Sequence, residues 1–238
     1  MEVNEFEKMI REKDGSQSIV FPALMRKVYV WMTLALILTA VTAYGVASSP
    51  RLTYAIFSNS WIMWGLIIGE LALVFTVSGA INRLSLSTAT LLFVLYSVLN
   101  GATLSIIFMA YAPMVIAKVF LITAGTFAVM AFWGYTTKTD LTSLGKILFM
   151  ALIGVIIATI VNIFLKSSGF DLILSYVGVL VFVGLTAYDS QKIKKMLAMQ
   201  EYMDEGAQKI ALMGALSLYL DFINLFLYLL RIFGRSNS

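Results

Sequence analysis

The sequence predicts an all-α polytopic membrane protein, a bundle of seven transmembrane helices in one domain, and three observations carry that prediction. Hydrophobic residues make up 60% of the 238 and charged residues only 13%, against about 45–50% and 25% in ordinary soluble domains. Apolar runs of about 20 residues, each long enough to cross about 30 Å of hydrocarbon, recur along the chain. The connections between them are short, and no stretch has the composition of a soluble domain or a flexible linker. A water-soluble protein of this size has nowhere to hide so much apolar surface.

Taken in order, residues 1–27 read as a cytoplasmic N-terminal tail, and 28–235 as the transmembrane domain. The tail carries Glu2, Glu5, Glu7, Lys8, Arg11, Glu12, Lys13 and Asp14 without an apolar core. No cleavable signal peptide is expected, and the first span guides insertion. The runs are 28–47, 61–80, 87–110, 114–135, 144–165, 172–190 and 207–232. The second contains Glu70 and a Gly65–Gly69 pair at packing spacing, and Arg83 closes it. The sixth holds Asp189 near its end and is followed by the basic Lys192-Ile-Lys-Lys. The seventh is diluted by Gly206, Lys209 and Asp221. If it turned back part-way, Arg231 and Arg235 would return inside.

Lysine and arginine set the orientation. With the N-terminus in the cytoplasm, Lys8, Arg11, Lys13, Arg26, Lys27, Arg83, Lys138, Lys146, Lys192, Lys194, Lys195 and Lys209 lie inside. Arg51, Lys118, Lys166, Arg231 and Arg235 lie outside. The expected location is the cell membrane, multi-pass, with the N-terminus cytoplasmic. The net charge of +4 does not point to nucleic acid, because the basic residues sit between apolar spans. Cysteine and histidine are both absent, which removes disulfides, thiolate and imidazole metal ligands, and the side chain that titrates most readily near neutrality. A pH response then rests on carboxylates or lysines.

The residues that point to chemistry are Asp189, in Leu185-Thr-Ala-Tyr-Asp-Ser-Gln, and Asp221, in Leu218-Tyr-Leu-Asp-Phe-Ile-Asn. A carboxylate well inside an apolar span costs roughly 2.5–3.5 kcal/mol on insertion scales. On the last helix, 100° per residue aligns Gly214, Ser217, Asp221, Asn224 and Tyr228, so Asp221 should face inward. On the sixth, Gly178, Phe182, Leu185, Thr186 and Asp189 share a face. The bland alternatives are a solvated helix terminus for Asp189 and a structural hydrogen-bonding role for Asp221. Glu70 competes, either as a functional acid or as a carboxyl protonated or bonded to a neighbouring helix. Arg83 is either a topogenic charge or a partner of the aspartates that holds a pore shut.

The run Leu95-Tyr-Ser-Val-Leu-Asn-Gly-Ala-Thr-Leu-Ser, then Ile122-Thr-Ala-Gly-Thr-Phe and Gly134-Tyr-Thr-Thr-Lys-Thr-Asp-Leu, resembles the signature region of the Bax inhibitor-1 family. So do Tyr188-Asp-Ser-Gln-Lys-Ile and Leu216-Ser-Leu-Tyr-Leu-Asp-Phe-Ile-Asn-Leu-Phe-Leu. The likeness spans nearly everything after Met25 and is closest to the bacterial branch. It implies a seven-helix bundle with the last helix central and a proton-sensitive calcium leak. It also implies a di-aspartyl pH sensor at Asp189 and Asp221, with Arg83 as an arginine latch. Neither the loop after the fourth span nor the Asn100-Gly101 region receives a role from it.

Physically, two carboxylates close together in a low-dielectric bundle cannot both ionise cheaply, so they titrate as a coupled pair. A shared proton ties the last two helices together; its loss leaves like charges that attract a divalent cation. The expected reading is a pH-sensitive calcium leak channel gated by Asp189, Asp221 and Arg83. Glu70, Asn224 and Ser217 are accessory candidates, and the two aspartates are contacts for Ca²⁺, whose oxygen preference they match. No cofactor is expected: Ca²⁺ is the transported ion, H⁺ the regulator and the bilayer the surrounding partner. The rivals are a Ca²⁺/H⁺ exchanger and a membrane interaction protein that modulates a quality-control protease or a cell-death or stress regulator. Enzymatic activity is not expected. An intramembrane aspartyl protease would need Gly-x-Gly-Asp where Leu218-Tyr-Leu-Asp stands, and a late Pro-Ala-Leu, which occurs only at Pro22.

Overall fold

The computed structural model describes residues 3–234, with side chains from Ile19 to Gly234. Arg235, assigned above to the outer side, and the side chains of the tail up to Asp14 lie outside the described residues. The helices are α1 (Val3–Ala47), α2 (Pro50–Phe57), α3 (Ser60–Ala80), α4 (Leu86–Leu104), α5 (Ile106–Ala110), α6 (Pro113–Thr136), α7 (Thr142–Leu165), α8 (Ser168–Ala198) and α9 (Glu205–Gly234). No strand occurs among the described residues. Counting α4 and α5 together, seven spans among the described residues are long and apolar enough to cross a membrane.

Four boundaries differ from the sequence expectation. Helix α1 continues back through the tail to Val3, with Pro22 inside it, and its membrane-length apolar part begins at Ile19 rather than 28. The third run is not one helix. It breaks at Ser105, whose Oγ donates to the Ala102 carbonyl at 2.6 Å. Helix α2 was not expected: Ser49 caps its start by accepting from the Leu52 amide, and Pro50 occupies the first turn, where its missing N–H costs nothing. Helix α8 runs eight residues past the apolar run that ends at Ser190. Gln191, Lys192, Lys194 and Lys195 end the hydrophobicity but are good helix formers. Asp189 therefore lies nine residues, about 14 Å, before the helix end rather than at a terminus. Helix α9 is unbroken over 30 residues, so the chain does not turn back part-way along it.

The chain forms two compact units, Met1–Ser105 with Lys192–Leu216, and Ile106–Gln191 with Ser217–Ser238. In the first, α1 buries Leu24, Val28, Met32, Ala35, Thr39, Ala43 and Val46. That three-and-four spacing is one face of a helix, and α1 packs on α4. The crossing is close because Gly101 on α4 has no side chain. A Cβ there would meet the Thr39 carbonyl oxygen and the Thr42 side chain. Beside it the Thr39 hydroxyl donates to the Ser97 carbonyl at 3.0 Å. Small residues admit this approach between helices, where lipid-like surroundings give little hydrophobic drive. That packing is the structural part played by Gly101, which the resemblance left without a role.

In the second unit, Phe120 and Phe127 on α6 meet Phe222 on α9, with ring centroids 5.4 and 5.5 Å apart. Phe182 on α8 stacks on Tyr228 at 5.8 Å. The outward faces keep their hydrophobicity. Ile147, Phe149, Met150, Ile153, Ile156, Ile157 and Ile160 on α7 are all exposed, as suits side chains solvated by lipid. Helix α9 differs: 67% of its most apolar window is buried, against 6% in α3 and in α7.

Candidate functional site

Asp221 lies 16 residues into α9, about 24 Å along the axis, and is 5% exposed. Its neighbours Leu218, Tyr219 and Leu225 are fully buried. Among the described residues its Oδ2 is the one buried side-chain oxygen or nitrogen without a hydrogen-bond partner. Such an atom is ordinarily paired, because burying it alone costs about 1–3 kcal/mol. Asp189, half-buried on α8, is near enough to act electrostatically on Asp221. Both belong to the second unit.

The turn that carries Asp189 is held on several sides. Gly134 on α6 lies against the backbone of Ala187, where a Cβ would meet the carbonyl oxygen. The ring of Tyr188 covers Gly145 on α7, again where a Cβ would stand. Ser190 Oγ donates to the Ala131 carbonyl of α6 at 2.8 Å. Gln191 reaches the loop between α6 and α7. These glycines and Gln191 were not picked out as site residues in the sequence. The available signal was that Gly134 opens a signature motif and Gln191 follows the aspartate within another.

The remaining residues fall elsewhere. Arg83 is exposed in the turn after α3, its amide bonded to the Ala80 carbonyl at 2.8 Å. It lies three residues beyond the helix it was expected to close, and it belongs to the first unit. Glu70, in the same unit, accepts from the Thr103 hydroxyl at 2.5 Å and from Asn100 Nδ2 at 3.4 Å, both on α4. Of the readings open for Glu70, a carboxyl bonded to a neighbouring helix is the one observed. Asn224 turns its amide back onto the Leu220 carbonyl at 2.8 Å, and Ser217 is half-buried. The small and polar stripe of α9 is thus no more buried than the apolar side, since Phe222, Leu225, Phe226 and Leu229 are buried as well. One-sided polarity does not select the inward face when a helix is covered on most sides.

Among the described residues no group of three or more acidic side chains converges.

Residues 22–238 match the family described as inhibitor of apoptosis-promoting Bax1. The chain is 50% identical over 225 residues to the inner membrane protein YbhL of Escherichia coli (strain K12), covering 92% of this chain and 96% of that one. It is 48% identical over 226 residues to an uncharacterized protein of Borreliella burgdorferi, covering 95% and 97%. An uncharacterized membrane protein of Streptococcus pyogenes serotype M6 is 40% identical over 213 residues, covering 89% and 92%.

Proposed function

The chain is a multi-pass membrane protein that belongs to the family of the Bax1 inhibitor, and from that premise we propose that it is a pH-sensitive calcium leak channel gated by Asp189 and Asp221. The observation that carries this reading is a buried carboxylate on α9, with one oxygen lacking a hydrogen-bond partner, within electrostatic reach of a second carboxylate on α8. A buried acid on α9 is costly in a purely structural role, because an apolar side chain of similar size packs as well and avoids the desolvation cost. Two carboxylates in low dielectric hold a proton between them and titrate as a pair. With the proton bound, α8 and α9 are joined and the path is shut. When it leaves, the like charges separate the helices and attract Ca²⁺, whose preferred ligands are oxygens.

Arg83 is the proposed latch, an exposed guanidinium that pairs with a released carboxylate and so sets the closed–open balance. Because YbhL is named an inner membrane protein, the cytoplasmic membrane is the proposed location, with the N-terminus inside by the distribution of lysine and arginine.

The test is Ca²⁺ flux into liposomes containing the purified protein, recorded from pH 5 to 8 alongside a lumenal pH indicator. A pH-dependent Ca²⁺ flux without stoichiometric proton movement is the expected result, and in Arg83→Ala the midpoint moves. Fixed counter-movement of H⁺ would make the protein an exchanger. Flux equal to that of empty liposomes at every pH would refute transport.

A further inference from the structure

A groove runs along α1 in the first unit, and neither Asp189 nor Asp221 lines it. Its floor is Arg26, Tyr29, Val30, Thr33 and Leu34, and its volume is about 380 Å³, inside the roughly 300–1,000 Å³ typical of ligand sites. A smaller depression of about 40 Å³ continues it, lined by Leu34 again, by Trp31 and Leu38 of α1, and by Phe93 and Val94 of α4. Arg26, Val30, Leu34 and Leu38 recur every four residues, so they form one of the inclined rows that run along a helix surface. The two depressions share Leu34 and follow that row as one path. Arg26 and Leu38 are 12 residues apart, about 18 Å along the axis. One leaflet occupies half of the roughly 30 Å of hydrocarbon, so the path has the reach of a single acyl chain.

The two ends of the path differ in chemistry. Arg26 lies seven residues inside the apolar stretch that begins at Ile19, about 10 Å along the axis, and it is exposed. Its neighbour Lys27 donates to Gln208 Oε1 at 2.7 Å. Arg26 has no hydrogen bond or ion pair among the described residues. A cation within an apolar span ordinarily has a counter-charge. Past Arg26 come the hydroxyls of Tyr29 and Thr33, and then surfaces that are nearly all hydrocarbon. The one hydroxyl further along, that of Ser97, is already bonded to the Phe93 carbonyl at 2.9 Å. This is the profile of a phospholipid: a guanidinium suits a phosphate, and the aliphatic row suits a chain. No carboxylate is among the described lining residues, so nothing there receives an ammonium headgroup. We propose that the groove binds one acidic phospholipid, its phosphate on Arg26, its ester oxygens accepting from Tyr29 and Thr33, and one acyl chain along Val30, Leu34 and Leu38. The Arg26 end of α1 is the cytoplasmic one in the orientation proposed above, so the lipid belongs to the inner leaflet.

Trp31, which lines the second depression, reports occupancy. The full chain with Trp61→Phe, Trp64→Phe and Trp133→Phe keeps it as the sole tryptophan. In detergent this protein is titrated with phosphatidylglycerol and, separately, with phosphatidylethanolamine, each carrying brominated acyl chains that quench indole fluorescence on contact. Half-quenching by phosphatidylglycerol is expected at an about fivefold lower mole fraction than by phosphatidylethanolamine. Arg26→Gln should remove that preference, and Arg51→Gln on α2, outside the groove, should keep it. Equal titrations by the two lipids, or a preference that survives Arg26→Gln, would overturn the proposal. Should Arg26→Gln fail to fold, Val30→Phe places a ring in the groove at a position 49% exposed. Weaker quenching by phosphatidylglycerol is expected there, and quenching at the parental mole fraction would overturn the acyl-chain path. The rival occupant is a second copy of the chain. Since the sequence has no cysteine, Thr33→Cys supplies the only thiol. Protein that stays monomeric on oxidation in bilayers supports the lipid, whereas a disulfide-linked dimer would give the groove to another copy.

Discussion

Replacing Gly134 by alanine adds a single methyl group to α6, and the structure fixes what that group meets. It would fall on the carbonyl oxygen, carbonyl carbon and Cα of Ala187 on α8, all backbone atoms. No side chain can turn away to make room, so one helix has to move. Overpacking of this kind costs about 1–3 kcal/mol. Gly125, nine residues earlier on the same helix, has nothing within 4 Å of its added Cβ. There alanine should gain about 0.5–1 kcal/mol from helix propensity. The same substitution therefore has opposite signs at two positions of one helix. At 2–4 °C per kcal/mol for a chain of this size, Gly134→Ala lowers the melting temperature by roughly 2–12 °C and Gly125→Ala raises it by roughly 1–4 °C. Thermal unfolding of the purified proteins in one detergent measures both. Ala187 lies two residues before Asp189, so the pH midpoint of Ca²⁺ flux should also move in Gly134→Ala and stay in Gly125→Ala. A Gly134→Ala protein that melts at or above the parent would refute the close approach of α6 to α8.

Asp221→Leu removes a buried oxygen that has no partner and should stabilise the protein by about 1–3 kcal/mol while abolishing the pH dependence of flux; a lowered melting temperature would show that the carboxylate is structural. At Glu70, glutamine retains an acceptor for the Thr103 hydroxyl and should change stability by less than about 1 kcal/mol, whereas leucine removes that acceptor and should cost about 1–3 kcal/mol. Equal melting temperatures for the two Glu70 variants would contradict that hydrogen-bonded role.

Much of the architecture was legible because the bilayer imposes a length on its spans. Each apolar run of about 20 residues had to be helical, since no other open segment satisfies its backbone in hydrocarbon. The boundaries were less legible wherever helix and hydrophobicity part company. Helix α8 continues through Gln191 and three lysines because these residues favour helix without being apolar, and α1 continues back through a charged tail for the same reason. The break at Ser105, where the hydroxyl bonds to the carbonyl three residues back, is local and no hydropathy window registers it. At the site, Asp189 and Asp221 were visible because intramembrane charge is rare and costly. Gly134, Gly145 and Gln191 were not, because their importance lies in what faces them across helices distant in sequence. Asn224 misled for a related reason: its place on a polar stripe implied an inward contact, but its amide is used within its own helix.

The central claim is that Asp189 and Asp221 act as one titrating unit. The most direct test is a double-variant cycle on Ca²⁺ flux in liposomes, with Asp189→Asn, Asp221→Asn and the double variant each assayed from pH 5 to 8. For a proton-sharing pair, either single variant removes the shared titration, so each abolishes the parental pH dependence and the double variant resembles the singles. Contradiction would come from single variants that each keep a shifted pH dependence whose effects add in the double variant, the behaviour of two independent acids.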